Sequence, residues 1–182
     1  MTVPSGGDGE DAERVMAVLA ERAAKLALPE EEPREAVLAD ILIFRLAHRR
    51  YALEMKYIRE VFIIREITPV PGTPEYIAGI CAVRGEIVSL VDLRILFAIP
   101  QKGLTDLNRV IVLTDGRITF GILADYITDI GTVPTDDLAP AEPGEDLIDE
   151  RYIMGVADGQ LTVLDAAAIL ADPRMVIDDS RQ

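Results

Sequence analysis

The chain has 182 residues, 49% of them hydrophobic, which is enough to bury one sizeable core or two small ones. Its net charge of −14 argues against nucleic acids and anionic membrane surfaces as partners, because both attract basic patches. The sequence has no apolar run of the roughly 18 residues that cross a bilayer and no signal peptide at its start, so we expect a cytoplasmic protein.

The first forty residues, 1–40, are predicted to precede the main domain. Residues 1–10 are rich in glycine, proline and acidic residues, which predicts disorder. Residues 11–28 contain strong helix formers, and their apolar side chains, Met16 among them, recur at helical spacing. We therefore expect an amphipathic helix that packs on its own domain, with packing on a partner as the alternative. Prolines and glutamates in residues 29–33 then predict a short acidic linker.

From residue 41 the pattern changes to short runs rich in β-branched residues, separated by turn signals such as Asp115-Gly116. Ten runs in two sets of five predict a mainly β protein built from two small barrels. The predicted strands are Ile41–Leu46, Tyr51–Met55, Val61–Ile67, Ile77–Val83, Glu86–Val91, Arg109–Leu113, Arg117–Leu123, Thr128–Val133, Tyr152–Val156 and Leu161–Leu164.

This region repeats itself once. The run that begins at Arg50 returns at Arg117, and a second run that begins at Tyr76 returns at Tyr152. Because the two runs return in the same order, they indicate one duplicated unit of strands and turns.

We predict one domain at residues 41–172, made of pseudo-repeats 41–103 and 104–172, and a flexible tail at 173–182. Counted from the sequence, the first pseudo-repeat carries a net charge of +3 and the second −11. One mildly basic and one strongly acidic lobe would suit head-to-tail association with a similarly polarised partner. The alternative is that the acidic residues only keep the second lobe soluble.

Residue types that perform catalysis are almost absent. The one histidine, His48, is expected to be the polar tip of a turn, and the one cysteine, Cys81, a small apolar residue inside a strand. No nucleophile elbow, HExxH pair or phosphate-binding glycine loop occurs in the sequence. Carboxylate pairs such as Asp125 with Asp129 are expected to be solvated surface. We therefore predict no catalytic residues, no cofactor and no metal.

Asp92 admits two interpretations because it ends an apolar strand. It could be a phosphorylated aspartate, but that chemistry needs a parallel sheet with an upstream acidic pair and a suitably placed lysine, and the sequence supplies none of them convincingly. The favoured interpretation is an N-cap for a short helix at 93–97. Its counterpart Asp165 would cap a second short helix at 166–170.

Arg84 stands out because it interrupts an apolar pair of strands at a turn, where a guanidinium can pair with a carboxylate and still offer donors to a partner. Glu60 is the candidate carboxylate within the same repeat. The second repeat has Asp158 in place of Arg84 and Asp129 in place of Glu60, so the first copy is the specialised one. The alternative is that Arg84 is an ordinary solvated turn residue.

Residues 41–171 resemble the CheW family of chemotaxis coupling proteins. About 130 residues match in the correct order, which makes the resemblance specific although no single piece is. The matching segments are Phe44-Arg45-Leu46, Tyr51-Ala52-Leu53, Ile58-Arg59-Glu60-Val61, Pro71 through Gly79, Val83 through Val88, Val91-Asp92-Leu93-Arg94, Gly121 through Asp125, Ile127 through Ile130, and Tyr152 through Gly155.

The resemblance implies two intertwined five-stranded SH3-like barrels with a hydrophobic groove between them, in addition to the N-terminal helix and a short C-terminal helix. It also implies that partner-binding residues lie at the family's coupling positions. These are Ile58, Glu60, Val61, Gly79, Arg84, Gly85, Ile87 and Ile130.

The function that the resemblance implies is that of a non-enzymatic adaptor at membrane-associated receptor arrays. Its expected partners are the cytoplasmic tip of methyl-accepting chemotaxis receptors and the regulatory domain of the histidine kinase CheA, without nucleic acid and without insertion into the membrane. One alternative is a CheW-like module of a non-flagellar chemosensory pathway or of another kinase. A remote alternative is an enzyme or phosphoacceptor that uses Asp92 or Asp125.

Overall fold

The computed structural model describes Arg14, Met16, Ala17 and residues 36–101, 103–142 and 148–176. Two short helices, α1 (Leu93–Leu96) and α2 (Ala166–Leu170), accompany the strands, with turns of 3-10 helix at Met55–Tyr57, Glu150–Tyr152 and Pro173–Met175. The strands are β1 (Leu38–Leu46), β2 (Arg49–Glu54), β3 (Ile58–Ile63), β4 (Ile77–Val83), β5 (Glu86–Val91), β6 (Arg109–Thr114), β7 (Thr119–Ala124), β8 (Tyr126–Pro134), β9 (Ile153–Ala157) and β10 (Leu161–Leu164).

All ten predicted strands are present, and the largest error in their bounds concerns β3. This strand was predicted at 61–67 but begins at Ile58 and ends at Ile63. It pairs with β6 from Ile58 to Ile63, and one further hydrogen bond, from the Ile64 N–H to the Asn108 carbonyl at 2.9 Å, ends the pairing. The chain then leaves β6, so the apolar residues after Ile63 do not continue the strand.

The strands form two five-stranded sheets that each combine both repeats. The sheet of barrel A has the order β8-β1-β2-β10-β9, and that of barrel B has the order β3-β6-β7-β5-β4. Because β1 to β5 correspond to β6 to β10 in the duplicated unit, the two orders are equivalent, and each repeat gives its first two strands to one sheet and its last three to the other. The prediction of two intertwined SH3-like barrels is confirmed.

This exchange of strands corrects the charge distribution inferred from the sequence. A repeat is not a lobe, since the described strands of barrel A lie within the sequence ranges 37–57 and 125–176 and those of barrel B within 58–124. Counted over those residues, barrel A carries a net charge of −8 and barrel B carries zero. The molecule therefore has an acidic and a neutral barrel instead of an acidic and a basic one.

Each sheet closes on itself through one bridge between the segments at its two edges. In barrel B, Thr68 after β3 exchanges backbone hydrogen bonds of 3.0 and 2.8 Å with Ile80 of β4. In barrel A, Ala139 after β8 does the same with Val156 of β9, at 3.0 and 2.8 Å. Gly79 makes the first closure possible, because its φ is +149° and a Cβ there would collide with the Thr68 carbonyl oxygen.

The largest apolar cluster lies between the two sheets. It includes alternate residues of β1 and β2, such as Phe44 and Leu53, and of β6 and β7, such as Ile111 and Ile122. The intervening residues of the same strands fill the barrel interiors, Ile43 among them. These four central strands are therefore buried on both faces, which explains their nearly continuous apolar sequence.

Both predicted helix caps are confirmed. The Asp92 carboxylate accepts a hydrogen bond of 2.9 Å from the Arg94 backbone N–H, and that of Asp165 accepts one of 3.0 Å from Ala168. Each cap is fixed in turn by a 2.8 Å hydrogen bond from its own backbone N–H to a tyrosine carbonyl, Tyr76 in the first copy and Tyr152 in the second. The duplication is thus preserved down to single hydrogen bonds.

The predicted flexible tail begins too early. Pro173–Met175 form a turn of 3-10 helix, and the Met175 side chain is buried in the shared core. Arg174 donates to the Asp172 carboxylate at 2.7 Å and to the Tyr152 hydroxyl at 2.9 Å, while Tyr152 donates to Asp172. This polar cluster attaches the end of the domain to the body. The polar composition of the last residues gives no sign of this attachment in the sequence.

The N-terminal predictions lie almost entirely outside the described residues. This holds for the disordered start, the acidic linker and most of the amphipathic helix, as it does for the tail from residue 177 onward. Arg14, Met16 and Ala17 are helical, and Met16, which belongs to the predicted apolar stripe, exposes 69% of its surface. No helix among the described residues is long and apolar enough to span a membrane.

We expect Gly79→Ala to lower the free energy of unfolding by about 2 kcal/mol or more, because the new Cβ would force Thr68 away from Ile80. Gly131→Ala is the matched control, since a Cβ there meets no atom closer than 3.6 Å, and should leave stability unchanged or slightly raised. Urea denaturation measures both. Equal stability of the two variants would contradict the importance of this closure.

Asp172 should make the domain sensitive to acid. Burial alone would raise the pKa of its carboxyl, but hydrogen bonds from Arg174 and Tyr152 outweigh burial and lower the pKa to about 2. A carboxyl whose pKa is lowered by folding contributes stability above its unfolded pKa and loses it as the pH falls, so about 2 kcal/mol should disappear between about pH 4 and pH 2. Urea denaturation across this range should show the loss in the wild type and not in Asp172→Asn.

Asp149→Asn is the matched control for this experiment. Asp149 pairs with Arg151 two residues later at 3.0 Å, but its side chain is half exposed. This variant should keep the acid sensitivity of the wild type. If the Asp172→Asn variant also keeps that sensitivity, the assignment of acid sensitivity to Asp172 is refuted.

Candidate partner-binding surface

The turn between β4 and β5 places Arg84 in a conformation that arginine rarely adopts. Arg84 and Gly85 form a two-residue hairpin loop with φ angles of +50° and +83°, which is the type I′ arrangement. That turn favours Asn, Asp or Gly at its first position, and Asp158 fills the same position of the β9–β10 turn with φ +51°. Arginine is thus a costly choice for the turn, and such outliers cluster at functional sites.

Arg84 reaches across the closure of barrel B to β3, as the sequence predicted. Its Nε lies 3.1 Å from Glu60 Oε2. On β3, Arg59 lies beside Glu60, with Nε 3.6 Å from Glu60 Oε1, and extends its Nη2 to 2.7 Å from Glu86 Oε2 on β5. These four residues form a chain of alternating charge, the seam cluster, that connects the β4–β5 hairpin to β3.

The seam cluster stabilises the fold only modestly and leaves donors free. The Arg84 side chain is 79% exposed, and exposed ion pairs contribute up to about 1 kcal/mol. The Glu60 side chain is only 18% exposed, so its position is well fixed between two arginines. Among the described residues Arg84 uses only its Nε, which leaves Nη1 and Nη2 able to bind a carboxylate or carbonyl of a partner.

The described part of barrel A shows no such arrangement, and its hairpin is shorter. The β4–β5 hairpin has six cross-strand pairs and the β9–β10 hairpin four. Asp129, which corresponds to Glu60, accepts a hydrogen bond of 2.8 Å from the N–H of Ile130 within its own strand. The specialisation of the first copy therefore results from hairpin length as well as from residue type.

Apolar side chains protrude from the outer surface next to the seam cluster. On β3, Val61 and Ile63 expose 38% and 60% of their surface, and on β5 Ile87 exposes 74%. Val61 and Ile63 share a strand face with Arg59, since successive exposed residues of β3 alternate with half-buried ones. Ile87 follows Glu86, which pairs with Arg59, and the seam cluster with these three exposed residues is here called the seam surface.

The eight predicted site residues divide into three groups. Glu60, Val61, Arg84, Gly85 and Ile87 lie on the seam surface. Ile58 is half-buried against the shared core, and Gly79 is buried at the closure of barrel B. Ile130 lies on β8 of barrel A at the position equivalent to Val61, where it is 62% exposed.

Sequence reasoning missed Arg59, Ile63 and Glu86. Arg59 and Glu86 are separated by 27 residues, but their opposite charges flank Glu60 and Arg84 in the sequence. This symmetry of charge was the signal in the sequence from which the pairing of Arg59 with Glu86 could have been predicted. Ile63 was hidden because an apolar residue in an apolar strand gives no sign of its exposure.

Asp92 and Asp125, the residues named for the enzyme or phosphoacceptor alternative, are both buried. Asp92 is 5% exposed, and Arg94 binds both of its carboxylate oxygens, at 3.0 and 2.8 Å, which raises the pKa of the Arg94 guanidinium through this hydrogen bonding. Asp125 is buried with its Oδ2 accepting from the Ala47 N–H at 3.0 Å, whereas Asp129 is exposed, so the two are not a solvated pair.

His48 lies exposed in a turn, as predicted. Cys81 lies in β4, where burial raises the pKa of its thiol.

Among the described residues no group of three His, Cys, Asp or Glu side chains is arranged to hold a metal ion.

Comparison with known proteins yields one family. Residues 40–174 match the model of the CheW-like domain. The chain is 27% identical over 149 residues to the chemotaxis protein CheW of Klebsiella aerogenes, covering 80% of this chain and 90% of that protein. It is 26% identical to CheW of Bacillus subtilis, with coverages of 71% and 85%, and 27% identical to protein FrzA of Myxococcus xanthus, with coverages of 64% and 72%.

A solved structure has the same fold. The crystal structure of the scaffolding protein TtCheW from Thermoanaerobacter tengcongensis matches with a TM-score of 0.62 and 25% identity, covering 73% of this chain and 88% of that one.

We expect Arg84→Asn to change the free energy of unfolding by less than about 1 kcal/mol. The variant loses an exposed ion pair but gains a residue suited to positive φ. Arg94→Gln is the contrasting variant and should cost about 3 kcal/mol or more, because it leaves the buried Asp92 carboxylate without its partner. Urea denaturation compares them, and a loss of several kcal/mol in Arg84→Asn would make the seam cluster structural.

Proposed function

Because this chain belongs to the CheW family, we propose that it is a non-enzymatic scaffold of chemotaxis signalling, which couples methyl-accepting receptors to the histidine kinase CheA. The match extends over nearly the whole length of the described strands, from residue 40 to residue 174. Relatives named CheW and a solved scaffolding protein of the same fold support this role.

The observation that carries the proposal is the seam surface. It combines a charged cluster of fixed geometry with three exposed apolar side chains, and its central arginine occupies a turn position that costs stability. Selection for stability alone would favour Asn, Asp or Gly at Arg84. A docking surface accounts for both the arginine and the exposed apolar residues.

The apolar and charged parts of the seam surface would contribute differently to docking. Complete burial of a side chain such as Ile87 is worth about 1.5–3 kcal/mol, more than an exposed ion pair, so the apolar residues would supply most of the affinity. The free donors of Arg84 would select the register, because an unmatched arginine at the interface is costly to desolvate. Glu60 holds Arg84 in place for this purpose.

The position of Ile130 supports a second contact on the other barrel. Ile130 is exposed at the place equivalent to Val61, so each barrel presents an apolar residue on the same strand of the duplicated unit. Such a molecule can contact two partners at once, as a scaffold between receptor and kinase must. The unequal charge of the barrels, −8 and zero, would fix which barrel meets which partner.

The same role implies a location. We propose that the protein acts in the cytoplasm and reaches membrane-associated receptor arrays only through its partners.

Calorimetric titration of the full chain against the regulatory domain of a CheA kinase from the same genome tests the proposal. We expect binding, and we expect Arg84→Asn to weaken it about tenfold, since one charge-assisted contact is worth about 1.5–3 kcal/mol. Binding should also weaken as salt is raised, because screening reduces attraction to the charged surface. Arg117→Asn, an exposed arginine in the β6–β7 turn, is the matched control and should bind like the wild type.

No binding to such kinase domains or to receptor tips would refute the coupling role while leaving the family assignment in place. Equal affinities of Arg84→Asn and the wild type would show that the interface lies elsewhere on the barrels.

A further inference from the structure

A second feature of barrel A is an open cavity of about 550 Å³. It lies between the β1–β2 turn, the segment after β8 and the β9–β10 hairpin, away from the seam surface of barrel B. One wall is basic and comprises Arg45, His48, Arg49 and Arg50. The other wall is formed mainly by Ala139, Pro140, Ala141 and Val156, and Glu142 is the one acidic residue among the lining residues that the structure describes.

The basic wall is opposite in charge to the barrel around it. Barrel A has a net charge of −8, yet three of its six basic residues line this one cavity. Arg45 and Arg50 are directly opposite each other in the β1–β2 ladder, so their side chains leave the sheet on the same face. Like charges in such a pair destabilise a sheet, and an anionic ligand between them would reverse the effect.

The turn that carries the basic wall is held in a fixed conformation. Ala47 and His48 have φ angles of +50° and +75°, although neither is glycine. The Ala47 N–H donates to the buried Asp125 carboxylate at 3.0 Å, and Arg45 Nη2 donates to the His48 carbonyl at 3.3 Å. The Arg45 guanidinium also lies 5.9 Å from the centre of the Tyr126 ring. Arg45 is therefore positioned before any ligand arrives, which lowers the entropic cost of binding.

The apolar wall indicates what kind of anion fits. Ala139 is fixed to Val156 by the bridge that closes barrel A, so this end of the wall is attached to the sheet. A bare inorganic anion would use the arginines and leave the wall of Ala139, Pro140 and Ala141 without a role. A peptide with carboxylate side chains on one face and small apolar ones on the other would contact both walls.

We propose that this cavity binds an acidic peptide segment of a partner protein, with Arg45 and Arg50 receiving its Asp or Glu carboxylates. Guanidinium groups bind carboxylates through two parallel hydrogen bonds, which gives both strength and orientation. The acidic surroundings, barrel A included, repel a long polyanion such as nucleic acid, so the negative charge of the ligand must be local. The inference does not rest on the coupling role, since it uses other residues on the other barrel.

Fluorescence anisotropy with the full chain and a labelled peptide of alternating Glu and Ala tests the proposal. We expect binding that weakens with salt, and no binding of the Gln-Ala peptide of equal length. Arg50→Ser should lower the affinity about tenfold, because it removes one charge-assisted contact. The matched control Arg117→Ser, in the exposed β6–β7 turn of barrel B, should bind like the wild type. Circular dichroism confirms that both variants are folded.

Three outcomes would overturn the proposal. The first is the absence of binding, and the second is equal binding of the Glu and Gln peptides. The third is binding of the Glu peptide that Arg50→Ser and Arg117→Ser reduce equally, which would indicate general attraction to positive charge. Binding of inorganic pyrophosphate to a protein that shows no affinity for the peptide belongs to the first outcome and would identify a site for small phosphates.

Discussion

The apolar layer shared by the two barrels is the interaction on which the rest of the structure depends. It draws on the central strands of both sheets and on both short helices, with Phe44, Leu53, Ile111 and Leu93 almost completely buried. Since each repeat contributes to both sheets, neither barrel can form without strands from the other half of the sequence. Burial of this layer thus makes one cooperative unit from a duplicated chain, and it fixes both barrels as a rigid base for their surfaces.

On this base, the two barrels differ at their closures. Both close through a backbone bridge, at Thr68–Ile80 and at Ala139–Val156, but among the described residues only barrel B adds ion pairs across this closure. The longer β4–β5 hairpin carries Arg84 to Glu60, whereas the shorter β9–β10 hairpin ends before it can reach β8 in the same way. Duplication supplied the scaffold twice, and divergence in hairpin length and charge gave each barrel a surface of its own.

The two surfaces are chemically distinct. The seam surface has balanced charges and exposed Val61, Ile63 and Ile87, so it suits a partner that buries apolar area. The cavity of barrel A has a concentrated positive wall within an acidic barrel, so it suits local negative charge. Both depend on residues at positive φ in tight turns, Arg84 in one case and Ala47 with His48 in the other. Strain in these turns coincides with the charged groups most available to partners.

The sequence by itself determined the ten strands, the caps at Asp92 and Asp165 and the pairing of Arg84 with Glu60, because alternation, turn residues and duplicated motifs act over short distances. Only the tertiary structure decided that a repeat is not a lobe, that Arg59 meets Glu86, that Gly79 serves a closure, and that Met175 is buried. The same holds for the arginine cavity, whose walls come from segments about 90 residues apart. The physical reason is that these features depend on which distant strands pair, and that choice is made by burial of the shared core, which no local pattern records.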